Sequence, residues 1–112
     1  MLPARGYSTL PIRMLTVVAK LKVQPGKEAE FERACRVMIE HVKTAEATTL
    51  TYVLHRARKD PTTFLFYERY PDRAGLDAHV QSAQMATLFS TIGPLLDGPP
   101  VIETYEEIDG KR

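Results

Sequence analysis

"TYVLHRARKDPTTFLFYERYPDRAGLDAHV", residues 51–80, carries a strand, a turn, a second strand and the start of a helix. With the two residues before it, the first part alternates: Leu50, Tyr52 and Leu54 fall on one side and Thr51, Val53 and His55 on the other, which predicts a strand over 49–56. "ARKDP" breaks the pattern, with Asp60-Pro61 as the stop. Residues 63–70 then alternate again, Phe64, Phe66, Glu68 and Tyr70 against Leu65, Tyr67 and Arg69. A link this short between two strands predicts an antiparallel hairpin. Asp72 suits the N-cap of the helix that follows, and that helix carries His79 beside Leu76 and Val80 on its apolar stripe.

Upstream, "LTVVAKLKV" at 15–23 places Leu15, Val17, Ala19, Leu21 and Val23 on one face, the signature of a half-buried strand, and Pro25-Gly26 ends it. From Lys27 to about Glu46 the period lengthens. Phe31, Ala34, Cys35, Met38 and Val42 make one helical stripe, with charged residues filling much of the rest and His41 at the stripe's edge. Downstream, Ser82 reads as the cap of a further turn or two of helix bearing Met85, Leu88, Phe89 and Ile92, which Gly93-Pro94 stops. "VIETYEEI" at 101–108 is a weaker fourth strand.

The order is β-α-β-β-α-β. It predicts an α+β, ferredoxin-like domain: a four-stranded antiparallel sheet with helices on one face. The strands are apolar on both sides in places, Val18 opposing Val17 and Leu65 opposing Phe66. An uncovered apolar sheet face marks an interface, so the expected partner is a second copy of the chain, docked sheet to sheet. Residues 1–13, with two prolines, a glycine and no periodicity, read as a loose arm, with Met14 as a possible natural start; 14–108 is the domain and 109–112 a frayed tail.

Composition narrows the function. The chain has 112 residues, 15 basic and 14 acidic, for a net charge of +1, so nothing draws it generally to a nucleic acid. The basic run Arg56-Ala57-Arg58-Lys59 reads as a solvated turn, with a grip on an anionic ligand as the alternative. No apolar run is long enough to cross a membrane. The single cysteine, Cys35, forbids an internal disulfide and fits a reducing, cytoplasmic setting; at the centre of a helical stripe it reads as a small packing residue. The three histidines, His41, His55 and His79, lie far apart in sequence, which argues against a metal site.

The stretches "LTVVAKLKVQPGKEAEFE", "TYVLHR", "FLFYERYPDRAGLDAHVQS" and "IGPLLDGPP" resemble the antibiotic biosynthesis monooxygenase domain family, whose small quinol monooxygenases are dimeric α+β barrels. The resemblance spans about residues 14–108. It matches His79 to the helix histidine of the family's "AHxxS", Tyr67 and Glu68 to the aromatic-acidic pair of "FYE", and Tyr52 and His55 to the strand "SYxLH". Gln84 stands where many members have a second histidine, and "AEATT" where many have "EPGC" before the second strand. The chain has no tryptophan and no asparagine, the residues that mark the family's haem-degrading branch, which argues against haem degradation.

What the resemblance implies is oxygenation of a small phenolic or quinol-like compound by dioxygen, with no cofactor and no metal. Triplet dioxygen reacts slowly with neutral closed-shell organics, and an electron-rich phenolate lowers that barrier. The site then needs a base and hydrogen-bond donors in an apolar pocket. His79 is the expected base and Tyr67 the expected donor to the oxyanion. Tyr52, His55, Phe66, Met85 and Phe89 are expected to line the substrate pocket. Glu68, one position from Tyr67, points to the opposite side of the strand and is assigned to the dimer interface or a salt bridge. Another small-molecule reaction on this scaffold, such as isomerisation or degradation of a signalling metabolite, and a dimeric ligand-binding or stress-response module without turnover are the competing readings.

Overall fold

The structure is a computed structural model and describes residues 14–111. The arm expected over residues 1–13 lies outside the described residues. Strand β1 (Leu15–Lys22) leads through the turn at Pro25-Gly26 into helix α1 (Glu28–Ala45); β2 (Thr51–Arg56) and β3 (Thr63–Tyr70) form the hairpin; α2 (Arg73–Val80) and α3 (Ala83–Ile92) follow; and β4 (Val101–Glu106) completes the sheet. The second helical segment is therefore two helices. Gln81 and Ser82 divide them, the Ser82 side chain accepting from Met85 N as the cap of α3 and the Asp72 side chain accepting from Gly75 N as the cap of α2.

The strands lie in the order β2-β3-β1-β4, all neighbours antiparallel, which is the ferredoxin-like arrangement. In β1–β3, Val17 faces Glu68 and Ala19 faces Phe66. In β2–β3, Tyr52 faces Glu68 and Leu54 faces Phe66. Cross-strand partners share a face, so Val17, Ala19, Leu21, Tyr52, Leu54, Phe64, Phe66, Glu68 and Tyr70 all point toward the helices.

Helix α1 lays Phe31, Cys35, Met38 and Val42 onto this surface and packs against α3, which contributes Met85, Leu88 and Ile92. Phe31 and Phe64 meet with ring centroids 4.7 Å apart, and neither has more than 1% of its surface exposed. Burial pushes the Cys35 thiol up to about 12, which keeps it a neutral packing group, as its place on the stripe implies. At the far end of the sheet, residues 95–97 are tied to the end of β1 and the residues just after it, through Gln24 N to Leu95 O at 2.9 Å and Asp97 N to Lys22 O at 2.7 Å.

The basic run at 56–59 sits on the hairpin. Arg56 pairs with Glu32 of α1 and its guanidinium lies over the Phe64 ring, while Arg58 and Lys59 are exposed. Asp60 closes the turn: its carboxylate accepts from Thr62 N and Oγ1, from Thr63 Oγ1 and from Lys22 Nζ, and these donors hold it far below the ordinary carboxylate range.

β4 differs from the other strands. All six residues are exposed, Ile102 at 55% and Val101 at 56%, because the helices stand over β1, β2 and β3 and leave the β4 edge uncovered. The outer face of the sheet carries Val18, Leu65 and Tyr67, half-buried, beside the more exposed Val53 and Tyr105.

Replacing Phe31 by Ala deletes a fully buried ring at the centre of the helix–sheet contact. It is expected to cost about 3–5 kcal/mol, read as a lower urea midpoint at unchanged slope. A loss below about 1 kcal/mol would place the core elsewhere.

Candidate active site

Between the sheet and helices α2 and α3 lies a cavity of about 300 Å³. Its walls are Val17, Ala19, Leu21 and Phe66 from the sheet, and Leu76, Met85, Leu88 and Ile92 from the helices. Among the described residues, four polar side chains reach it, those of Tyr52, Glu68, His79 and Thr104, and no lysine or arginine lines it. The cavity is open along β4, where Ile102 and Thr104 line it without a helix above them.

His79 forms one end. α2 places it inward, 2% exposed, edge-on to Tyr52 with ring centroids 4.8 Å apart and tilted against Tyr70 at 5.7 Å. Helix α2 approaches the loop before β2 closely: a Cβ on Gly75 would lie 3.2 Å from Thr48 O, so a glycine lets the backbones meet here. That approach brings Glu46, the residue that ends α1, to His79, with Oε1 2.7 Å from Nδ1. Thr49 Oγ1 donates to the same oxygen at 2.8 Å, and Oε2 lies 3.1 Å from His41 Nε2. Burial works to raise the Glu46 carboxyl, but the hydrogen bonds from His79 and Thr49 and the nearness of both imidazoles outweigh it and hold it below its ordinary value. The other ring nitrogen, His79 Nε2, is buried with no hydrogen-bond partner among the described residues.

Glu68 forms the floor. It is 6% exposed and accepts a 2.6 Å hydrogen bond from Tyr70 Oη. Burial raises its carboxyl above its ordinary value; the Tyr70 hydrogen bond and, when the ring is protonated, His79 offset part of this, and the Glu46 charge adds to it. Burial, joined by the charge of Glu68, also raises the phenols of Tyr52 and Tyr70, so both stay protonated donors at neutral pH. Tyr52 Oη makes a 3.9 Å contact to Met85 Sδ.

The structure brings together five of the seven residues expected at the site. His79, Tyr52, Phe66, Met85 and Phe89 line this one cavity. Tyr67 and His55 do not: both project from the outer face of the sheet, Tyr67 paired across from Val18 and Val53, and His55 exposed with Nδ1 3.1 Å from Val53 O. Alternation is the cause, since Tyr67 follows Phe66 by one position and His55 follows Tyr52 by three. The same parity corrects Glu68, which lies under the helices and not at an outer interface or in a salt bridge. Glu46 was not anticipated. The "AEATT" segment offers no periodic signal, and the contact depends on a chain reversal that only the fold supplies.

A model of the family described as "Antibiotic biosynthesis monooxygenase" matches residues 14–90. The chain belongs to the antibiotic biosynthesis monooxygenase family. The crystal structure of a proposed antibiotic biosynthesis monooxygenase from Caulobacter crescentus superposes with a TM-score of 0.84 at 33% identity, over 88% of this chain and 92% of that one. The proposed monooxygenase YcnE of Bacillus subtilis is 27% identical over 77% of this chain and 90% of its own length. The Synechocystis protein sll1783, of uncharacterised function, is 28% identical over 82% of this chain, and the match spans 62% of its length. Membership extends to the fold: like its relative from Caulobacter, this member of the family is a ferredoxin-like α+β protein. No helix among the described residues is long and apolar enough to cross a membrane, and no group of three or more potential metal ligands occurs among them.

The raised carboxyl of Glu68 has a thermodynamic consequence. Such a group favours folding fully below its unfolded value, near 4.5, and loses that contribution as pH rises through the higher folded value. Glu68→Gln keeps an acceptor for Tyr70 without the buried charge. Its melting temperature is expected to exceed the wild type by a few degrees at pH 7–8, the gap closing as pH falls toward 4. A variant less stable than wild type at pH 8 would mean the carboxylate is held by partners that outweigh its burial.

Proposed function

We propose that the protein is a cofactor-independent monooxygenase that oxidises a small, flat, uncharged phenol or quinol with dioxygen. One observation carries this reading: an imidazole with a free ring nitrogen stands at the wall of an apolar cavity that has room for a small aromatic compound. The lining bears on charge as well. With Glu68 and His79 as acceptors and, among the described residues, no lysine or arginine to balance an anion, the cavity favours a neutral ligand that donates hydrogen bonds, as a hydroquinone does.

In this reading, His79 Nε2 takes a phenolic proton. The phenolate passes one electron to dioxygen, and the resulting radical pair joins at a ring carbon to give a peroxide. The imidazolium returns its proton to the peroxide, whose O–O bond breaks as the ring C–H proton leaves. One oxygen remains as a carbonyl and the other departs as water. Tyr52, kept protonated by burial, is placed to donate to the developing oxyanion. The apolar walls limit the water that would quench the peroxide.

Oxygen uptake with a panel of hydroquinones tests the reading. Consumption with at least one is expected, and His79→Ala should lower it by at least about tenfold. If no quinol supports consumption while one still raises the melting temperature, a binding module without turnover is the better account.

The same reading makes the protein a homodimer joined through the outer sheet face, where Val18, Leu65, Tyr67 and Val53 would otherwise meet water. Sedimentation equilibrium is expected to give twice the 12.6 kDa chain mass. Leu65→Lys should return the monomer while leaving the far-UV spectrum intact. A wild-type monomer at micromolar concentration would remove this interface.

A further inference from the structure

His79 separates two spaces. On one side is the apolar cavity; on the other is a surface cleft lined by His41, Glu46, Thr48, Ser82 and His79 itself. Glu46 reaches only the second. It is fixed there from three directions: its backbone N–H donates to Val42 O at 3.2 Å, its carbonyl accepts from Thr49 N at 3.2 Å, and its Oε1 meets Thr49 Oγ1 and His79 Nδ1, while Oε2 lies 3.1 Å from His41 Nε2 without a hydrogen bond. An ionised carboxylate can only accept. At 2.7 Å from Glu46 Oε1, Nδ1 of His79 must therefore carry a proton, and in the neutral ring the lone pair is then on Nε2. The other polar groups around the ring offer no competing acceptor to Nδ1: Tyr52 from β2 and Tyr70 from β3 meet it as ring contacts, and Glu68 is engaged by Tyr70.

We propose that Glu46 is the positioning residue of this site, locking the neutral ring of His79 as the Nδ1–H tautomer so that Nε2 is the atom that takes the substrate's proton. The inference rests on the reading of His79 as the base and adds what makes it one. Free histidine in water favours the opposite, Nε2–H tautomer, which would offer the cavity a donor instead of an acceptor. Once Nε2 is protonated, the imidazolium faces a carboxylate at hydrogen-bond distance, so the proton can be stored beside the cavity until the peroxide requires it.

The tautomer is measurable without substrate. Two-bond ¹H–¹⁵N correlation spectra of the labelled full chain at pH 8 are expected to show His79 as Nδ1–H in the wild type and in Glu46→Gln, whose amide oxygen still accepts, and as Nε2–H in Glu46→Ala. The Nε2–H form in the wild type, or Nδ1–H persisting in Glu46→Ala, overturns the proposal. The wild-type spectrum decides even where Glu46→Ala does not fold. In oxygen uptake, Glu46→Ala should lower kcat by about tenfold or more with KM within about threefold, and Glu46→Gln should recover part of the rate. A raised KM at unchanged kcat assigns Glu46 to substrate binding and overturns the positioning role. Absent uptake by the wild type refutes the oxygenase reading alone, and the spectrum then stands as the test of Glu46.

Discussion

Alternation along β3 governs what each layer of this protein contains. The strand is central, hydrogen-bonded to β1 on one side and β2 on the other, so it cannot rotate or slip without breaking two ladders. Its helix-facing residues, Phe64, Phe66, Glu68 and Tyr70, run from dry core to polar site in one line. Phe64 meets Phe31 of α1. Phe66 stacks on Tyr52 with centroids 4.4 Å apart, and Glu68 and Tyr70 bond to each other beneath His79. The apolar end anchors the helices, and the polar end inherits the position that anchoring imposes.

Two helix terminations complete the site. α1 ends at Glu46, and α2 begins at the Asp72 cap and passes Thr48 at a glycine. Neither feature concerns chemistry by itself. Together they bring a carboxylate and an imidazole separated by 33 residues in sequence to 2.7 Å. The geometry of the candidate base is thus set by where two helices stop and start, while the walls around it are set by strand parity.

This division explains what the sequence revealed. Elements bounded by strong punctuation were legible: Pro25-Gly26, Asp60-Pro61, Asp72 and Gly93-Pro94 mark ends close to those observed, and the stripe of Phe31, Cys35, Met38 and Val42 names the buried face of α1. His79 was visible because it interrupts such a stripe. Tyr67 and His55 were drawn in by the resemblance of short motifs, although parity with Phe66 and Tyr52 already put them on the other face. Glu68 was available by the same parity, since it shares a side with Phe64 and Phe66. Glu46 was not available from any periodic pattern, although it is the glutamate that "AEATT" shares with "EPGC". It lies between two elements, has no periodic partner and meets His79 only through the tertiary fold.

The polar end of the core is expensive for a chain of this size. Glu68 and His79 are almost wholly inaccessible, and Glu46 nearly so, in a domain with a modest core to offset their desolvation. An apolar set of the same volume would fill this space without that penalty. The cluster is also incompletely satisfied: Tyr70 supports Glu68 and Thr49 supports one oxygen of Glu46, yet Glu46 Oε2 and Nε2 of His79 have no hydrogen-bond partner among the described residues. Packing does not account for an unpaired acceptor at the edge of an apolar cavity, because a buried polar atom without a partner costs free energy that a leucine at this position would not. An acceptor left open in the folded chain, oriented by a carboxylate behind it and flanked by phenols that keep their protons, has the form of a site awaiting a donor that arrives with the ligand.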